Sequence, residues 1–312
     1  MNGNDANWER DVIQKLARDA LAEQKRARRW GIVFKALTFV YLFLLLFFAI
    51  GWLGEGGAIE TGDHTAVVEL NGIIAPNSEA NADDVVAGLK DAFEAEGTKA
   101  VLLRINSPGG SPVQAASIND EIRRLRDLHP HIPLYAVVED ICASGGYYVA
   151  VAAEKIFVAK ASIMGSIGVL MNGFGFTDAM KKLGIERRLL TAGDNKGFMD
   201  PFSPLEIEQR DYAEKMLDNI HSQFIEAVRE GRGDRLKETE QTFSGLVWTG
   251  EESIELGLAD ALGSVAYVAR EVVQAEKIVN YSRRESLVER VARRFGASLG
   301  ETVLRETGLE LR

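Results

Sequence analysis

The sequence is poor in the residues that most often carry chemistry or cross-links. Its 312 residues include one cysteine, Cys142, and four histidines, His64, His129, His131 and His221. A single thiol excludes an internal disulfide and any zinc site built from cysteine pairs. The histidines are scattered, with no HExxH or other close ligand spacing, so no metal site is expected. The nucleotide loops GxxxxGK(S/T) and GxGxxG are both missing. Basic excess is missing too: the net charge of −10 argues against nucleic acid as a partner. What remains, 46% hydrophobic and 26% charged, is the composition of a folded chain with enough apolar residues for a core.

The charge is uneven. Residues 1–35 carry eight Lys/Arg against five acids, a net +3 in an acidic chain. Directly after them, Ala36–Leu53 is an eighteen-residue run without a charge. Extended back to Trp30 it is long enough to span a bilayer core of roughly 30 Å, with Lys35 snorkelling to the interface. Trp30 and Trp52 lie where interfacial aromatics belong, and the cluster Lys25–Arg29 precedes the span. The positive-inside rule places the N-terminus in the cytoplasm and everything after Gly54 outside. Thirty polar residues before a long apolar run favour an uncleaved anchor over a signal peptide. The expected organisation is a cytoplasmic basic segment at 1–29, a transmembrane anchor at 30–53, a linker at 54–63, a folded domain at 64–276 and a helical tail at 277–312.

Beyond the span, apolar strands alternate with helices, the pattern of an α/β domain with mostly parallel strands. Asn71-Gly72, between Ala66–Leu70 and Ile73–Ala75, reads as a hairpin turn. Asn81 and Ser111 read as helix N-caps, the second followed by Pro112 at the first helical position. Ala100–Ile105 and Leu134–Glu139 are buried strands, and further strands are expected near 156–158, 167–170 and 187–190. Ser203-Pro-Leu-Glu206 reads as a capping box opening a long helix to about Glu230. Shorter helices are expected near 251–256 and 264–276. In the tail, Leu287, Val291, Phe295, Leu299 and Val303 form an apolar stripe suited to packing on the body or a neighbouring subunit.

Two glycine-rich turns follow buried strands, SPGGSP at 107–112 and ASGGY at 143–147. Ligands and catalytic groups in parallel α/β sheets gather beyond the carboxyl ends of strands. Ser144 at a helix N-terminus could attack a carbonyl, with the N–H of Gly145 and a second donor from Gly110 stabilising the oxyanion. None of the four histidines is well placed in the sequence to be its base. The alternative is a lysine made neutral by burial, which spacing alone cannot select.

These residues resemble the signal peptide peptidase A family of membrane-anchored bacterial serine proteases, in its single-repeat form. The resemblance covers about 64–276 and the preceding anchor. It rests on INSPGGSP (105–112), ASGGYYVAVAAEKIFVAKAS (143–162), MGSIGV (164–169) and AGDNKGFMDPFSP (192–204). It implies a Clp-protease/crotonase-like fold after one transmembrane helix, and a Ser-Lys dyad that needs no metal or organic cofactor. Ser144 matches the nucleophile, Lys196 the general base and Ser166 the hydroxyl that orients the lysine. The lysine segment departs from the family pattern, where a second lysine and a tyrosine are more frequent. The resemblance further implies a homo-oligomeric ring or dome at the bacterial inner membrane, with the catalytic domain periplasmic. Its substrates would be signal peptides left in the lipid bilayer and other apolar peptides, met by residues such as Ile141, Val169 and Leu170. Two other functions fit parts of the pattern: a crotonase-like acyl-CoA enzyme with Glu139 or Asp140 as base, and an inactive membrane scaffold.

Overall fold

The computed structural model describes residues 5–53 and 62–283. The chain divides into two units, residues 1–59 with 286–312 and residues 60–285. Linker residues 54–61 and the apolar stripe of the tail lie outside the described residues.

In the first unit, α1 (Asp5–Leu53) is one uninterrupted helix of 49 residues. Within it, Arg18–Phe47 is long and apolar enough to cross a membrane, and none of that apolar window is buried in protein. Phe39, Tyr41, Phe43 and Phe47 are each more than 60% exposed. A helix apolar on every side and uncovered by its own chain is suited to lipid.

The second unit is built on a parallel sheet. Its central strands are β1 (His64–Asn71), β2 (Thr98–Ser107) and β3 (Leu134–Ala143), joined by α2 (Ala82–Glu94) and α3 (Pro112–Leu128). After α4 (Gly145–Ala150) come β4 (Lys155–Val158) and β5 (Ile163–Gly165), which both pair with β3. Then follow α5 (Thr177–Leu183), α6 (Ile207–Arg232), β6 (Val247–Thr249), α7 (Gly250–Glu255), β7 (Ala261–Leu262), α8 (Val265–Tyr267) and β8 (Ile278–Asn280). The main path across the sheet is β6-β5-β3-β2-β1-β8, with only β6 antiparallel. This is the Clp-protease/crotonase-like α/β arrangement.

Both sheet faces are covered where the strands are most apolar. Ala66, Val68, Leu70, Val101, Leu103 and Ile105 pack against α2, α3 and α4. Val67, Leu102, Tyr135, Val137 and Phe157 form a second layer with Val268. Two-sided burial explains why these strands read as continuous apolar runs. The local caps form as expected: Asn81 Oδ1 accepts from Asp84 N–H at 2.9 Å, and Ser111 Oγ accepts from Gln114 N–H at 3.4 Å.

Several local expectations are corrected. Asn71-Gly72 is no hairpin: Gly72 N–H donates to Asn106 O at 2.9 Å, and Ile74 bridges in parallel to Gly110. The crossover through α2 makes β1 and β2 parallel, so the chain after β1 follows the loop after β2. Residues 167–170 and 187–190 form no strands, and Leu170 and Leu190 are 81% and 96% exposed. Neither run pairs with a strand of the sheet. The capping box at 203–206 also fails, because Ser203 Oγ donates to Asp200 Oδ2 at 2.7 Å and α6 starts at Ile207. The helix expected over 264–276 is one turn, α8, running into a π-helical turn at Val268–Val273. The tail boundary moves as well: Ile278–Asn280, placed in the tail, is a strand paired with β1.

The C-terminal end of α6 is locked to the sheet. Arg232, whose side chain is fully buried, donates both Nη groups to Asp260 at 2.9 Å and its Nε to Gly257 O at 2.8 Å. Burial pushes the Asp260 carboxyl up, but Arg232, the Ile156 N–H and Arg235 outweigh burial and hold it below the usual carboxylate range. A lowered carboxylate pKa stabilises the fold above the ordinary value, and that contribution is lost as pH falls through the lowered one. Arg232→Met should therefore cost about 3 kcal/mol at neutral pH, because it takes the buried partner from a carboxylate that keeps only Arg235 and the Ile156 N–H. Thermal melts of the detergent-solubilised chain check this, and the acid-side loss of stability should shrink in the variant.

Candidate active site

Two neighbouring strands end in matched elbows. At the end of β3, Ser144 has φ 50° and ψ −123°, a conformation costing a non-glycine residue of order 1–3 kcal/mol. It stands half-buried before α4, as in other strand–turn–helix elbows that expose a nucleophile. At the end of β5, Ser166 has φ 51°. The register pairs Ala143 with Gly165, and Ser144 N–H donates to Gly165 O at 2.8 Å, so the two serines leave adjacent strands side by side.

The backbone around Ser144 is built from glycines because nothing larger fits. Gly109, at φ +96°, lies so close that an added methyl would meet Gly145 N at 2.6 Å. Gly110, at φ +150°, would place a methyl 2.1 Å from Ile74 O. In the bridge to this loop, Ile74 N–H donates to Gly109 O at 2.9 Å and Ser111 N–H to Ile74 O at 2.8 Å. That alternation turns the Gly110 N–H to the opposite side, towards Gly145, where an added methyl would lie 3.3 Å from Gly110 N. The Gly145 and Gly110 N–H groups have no acceptor among the described residues. Two free donors beside one strained serine can bind a developing oxyanion.

The support behind this pair comes from far along the chain. Ser166 N–H donates to Leu246 O at 2.7 Å, and a methyl on Gly165 would meet the Trp248 ring at 2.6 Å. Tyr147, fully buried in α4, donates its hydroxyl to Leu258 O at 2.9 Å. Leu246, Trp248 and Leu258 carry no local motif, so sequence reading had no signal for them.

Lys196 is placed differently. It is exposed, and its amine makes no ion pair or hydrogen bond among the described residues. It lies in an arm, residues 168–206, whose only regular element is α5. The loop that carries it is folded on itself by Arg187 paired to Asp200 at 3.3 Å, and held to α6 by Met199 N–H donating to Gln209 Oε1 at 3.2 Å. The structure thus brings Ser144, Ser166, Gly145 and Gly110 together and leaves Lys196 in solvent. Ile141 is half-buried in β3 opposite Ile163, and Val169 is half-buried at the base of the arm. Leu170, in contrast, is exposed. The alternative bases are engaged: Glu139 with Arg104 at 3.4 Å, and Asp140 with the Asn106 amide at 3.2 Å. Among the histidines, His64 is buried against Tyr281 and Thr98, and His129 packs on Phe93.

Fold and elbows together define a serine-elbow α/β domain of the peptidase kind. The sequence pattern of peptidase family S49 matches residues 126–279. The Na(+)/H(+) antiporter NhaA of Brucella melitensis is 44% identical over 177 residues, 57% of this chain and 24% of that protein. A putative protease of Synechocystis sp. is 30% identical over 199 residues, 64% of this chain and 69% of its own length. The putative signal peptide peptidase SppA of Enterococcus faecium is 28% identical over 228 residues, 70% of this chain and 66% of that one. The chain belongs to peptidase family S49, the signal peptide peptidase A family. It spans about a quarter of the length of the Brucella proteins, 24% of each.

Proposed function

We propose that this chain is a membrane-anchored serine endopeptidase that degrades signal peptides remaining in the bilayer after their release from preproteins. The observation that carries the reading is the strained Ser144 beside two N–H groups without acceptors among the described residues. Ser144 Oγ attacks a peptide carbonyl while its proton passes to the Lys196 amine, with Ser166 orienting that amine. The oxyanion accepts from Gly145 and Gly110. As the C–N bond breaks, the proton on Lys196 passes to the leaving amine, and water then cleaves the acyl-enzyme by the same route. The helix within α1 supports an anchor, and its preceding basic cluster supports a cytoplasmic N-terminus with the catalytic domain outside.

A lysine acts as a base only once its amine has lost its proton, which requires removal from water. Exposure of Lys196 in a single chain therefore points to assembly. Leu170, Phe174, Leu183 and Leu190 on the arm are 74% to 96% exposed, apolar surface that a second copy of the chain could cover. A homo-oligomer that covers the arm supplies the dry environment and brings Lys196 to a Ser144.

The test is the full chain reconstituted in liposomes with an apolar signal peptide and, separately, a polar peptide of equal length. Cleavage within the apolar stretch, by a species larger than one chain, is expected. Preference for the polar peptide, or full activity from a monomer, would contradict the reading.

A further inference from the structure

His221 is the one histidine whose ring reaches the neighbourhood of the serine pair, and the catalytic steps above give it no part. It lies on α6, one turn before the buried Phe224 and two before Val228, in the half of the helix that is fixed to the body. Its Nε2 is 3.2 Å from the carbonyl oxygen of Ile167. A carbonyl only accepts, so the contact requires the proton on Nε2.

Ile167 occupies a critical place. It is fully buried and directly follows Ser166. On one side the Ser166 N–H is held by Leu246 O. Past Ile167, Gly168 lies against Gly245, where an added methyl would come within 3.3 Å of its Cα. Two residues later the chain is open to solvent at Leu170 and becomes the arm that carries Lys196. One side-chain hydrogen bond thus fixes the carbonyl between the second serine and the root of the lysine arm.

We infer that His221 is a positioning residue, which fixes the Ser166 elbow and the root of the Lys196 arm by donating its Nε2–H to the Ile167 carbonyl. The inference rests on the Ser144–Lys196 reading and adds to it a residue that touches neither substrate nor reacting atoms. A packing role alone would be indifferent to the donor. A positioning role requires an N–H at that point in space.

The experiment compares His221→Ala and His221→Gln in the reconstituted full chain. His221→Ala should lower kcat about tenfold with KM within about twofold, and His221→Gln, whose amide N–H reaches the same carbonyl, should return kcat to within about threefold of wild type. Two equally impaired variants, or His221→Ala at the wild-type kcat, would overturn the inference. Should His221→Ala fail to fold, nitrogen-15 NMR of the labelled wild-type chain in micelles decides through the His221 ring. The Nε2–H tautomer is expected, and a dominant Nδ1–H tautomer overturns the bond. Ser144→Ala run in parallel separates the two readings: wild-type cleavage by that variant removes the serine mechanism and this role with it, whereas the NMR tautomer reports on the bond alone.

Discussion

Ser144→Ala should reduce peptide cleavage by about 10⁴-fold or more, since removing the nucleophile of a serine peptidase leaves only binding and oxyanion stabilisation. The fold should survive. Ser144 is half-buried and makes no side-chain cap to α4, so its hydroxyl supports nothing structural. Alanine at φ 50° bears much the same backbone strain as serine, and Tyr147 and Gly146 still hold the turn. The informative comparison is cleavage rate against melting temperature in one preparation: the first should collapse while the second moves by no more than a few degrees. Residual cleavage near the wild-type rate would mean another nucleophile.

On the proposed mechanism Lys196→Ala should have the second large effect, about 10³-fold or more on kcat, because Ser144 would lose the group that takes its proton. Lys196→Arg should fail equally, since a guanidinium keeps its proton throughout the working range. The exposure of Lys196 in one chain makes this result specific to the base. An exposed lysine without an ion pair contributes almost nothing to stability, so neither variant should melt earlier. Because the arm is apolar and exposed, mixing Ser144→Ala chains with Lys196→Ala chains asks a further question. Recovered activity in the mixture would show that one subunit completes the site of another.

How much of this was legible beforehand follows the range of the interactions. Ala100–Ile105 and Leu134–Glu139 could be read as buried strands because two-sided burial removes polar residues locally. The caps at Asn81 and Ser111 were legible because each bonds within three residues. The elbow glycines were visible as turns, and the family resemblance pointed to Ser144 as the nucleophile. Contacts that cross the chain left no local trace: the Leu246 carbonyl and Trp248 ring behind Ser166, and the His221 ring on Ile167, lie more than fifty residues away in sequence. The strands expected at 167–170 and 187–190 failed for a related reason, since apolar alternation describes a side chain's preference and says nothing about a free edge to pair with. The hairpin at Asn71-Gly72 was overruled by the parallel topology. Lys196 was singled out by the family resemblance alone, and the chain leaves its side chain exposed.

The most direct measurement is covalent labelling of the reconstituted chain with a fluorophosphonate, followed by mass spectrometry of the modified peptide. A single adduct on Ser144 is expected, lost in Ser144→Ala and strongly slowed in Lys196→Ala. An adduct on a different residue, or an enzyme that cleaves peptides while its Ser144 stays unlabelled, would contradict Ser144 as the activated nucleophile.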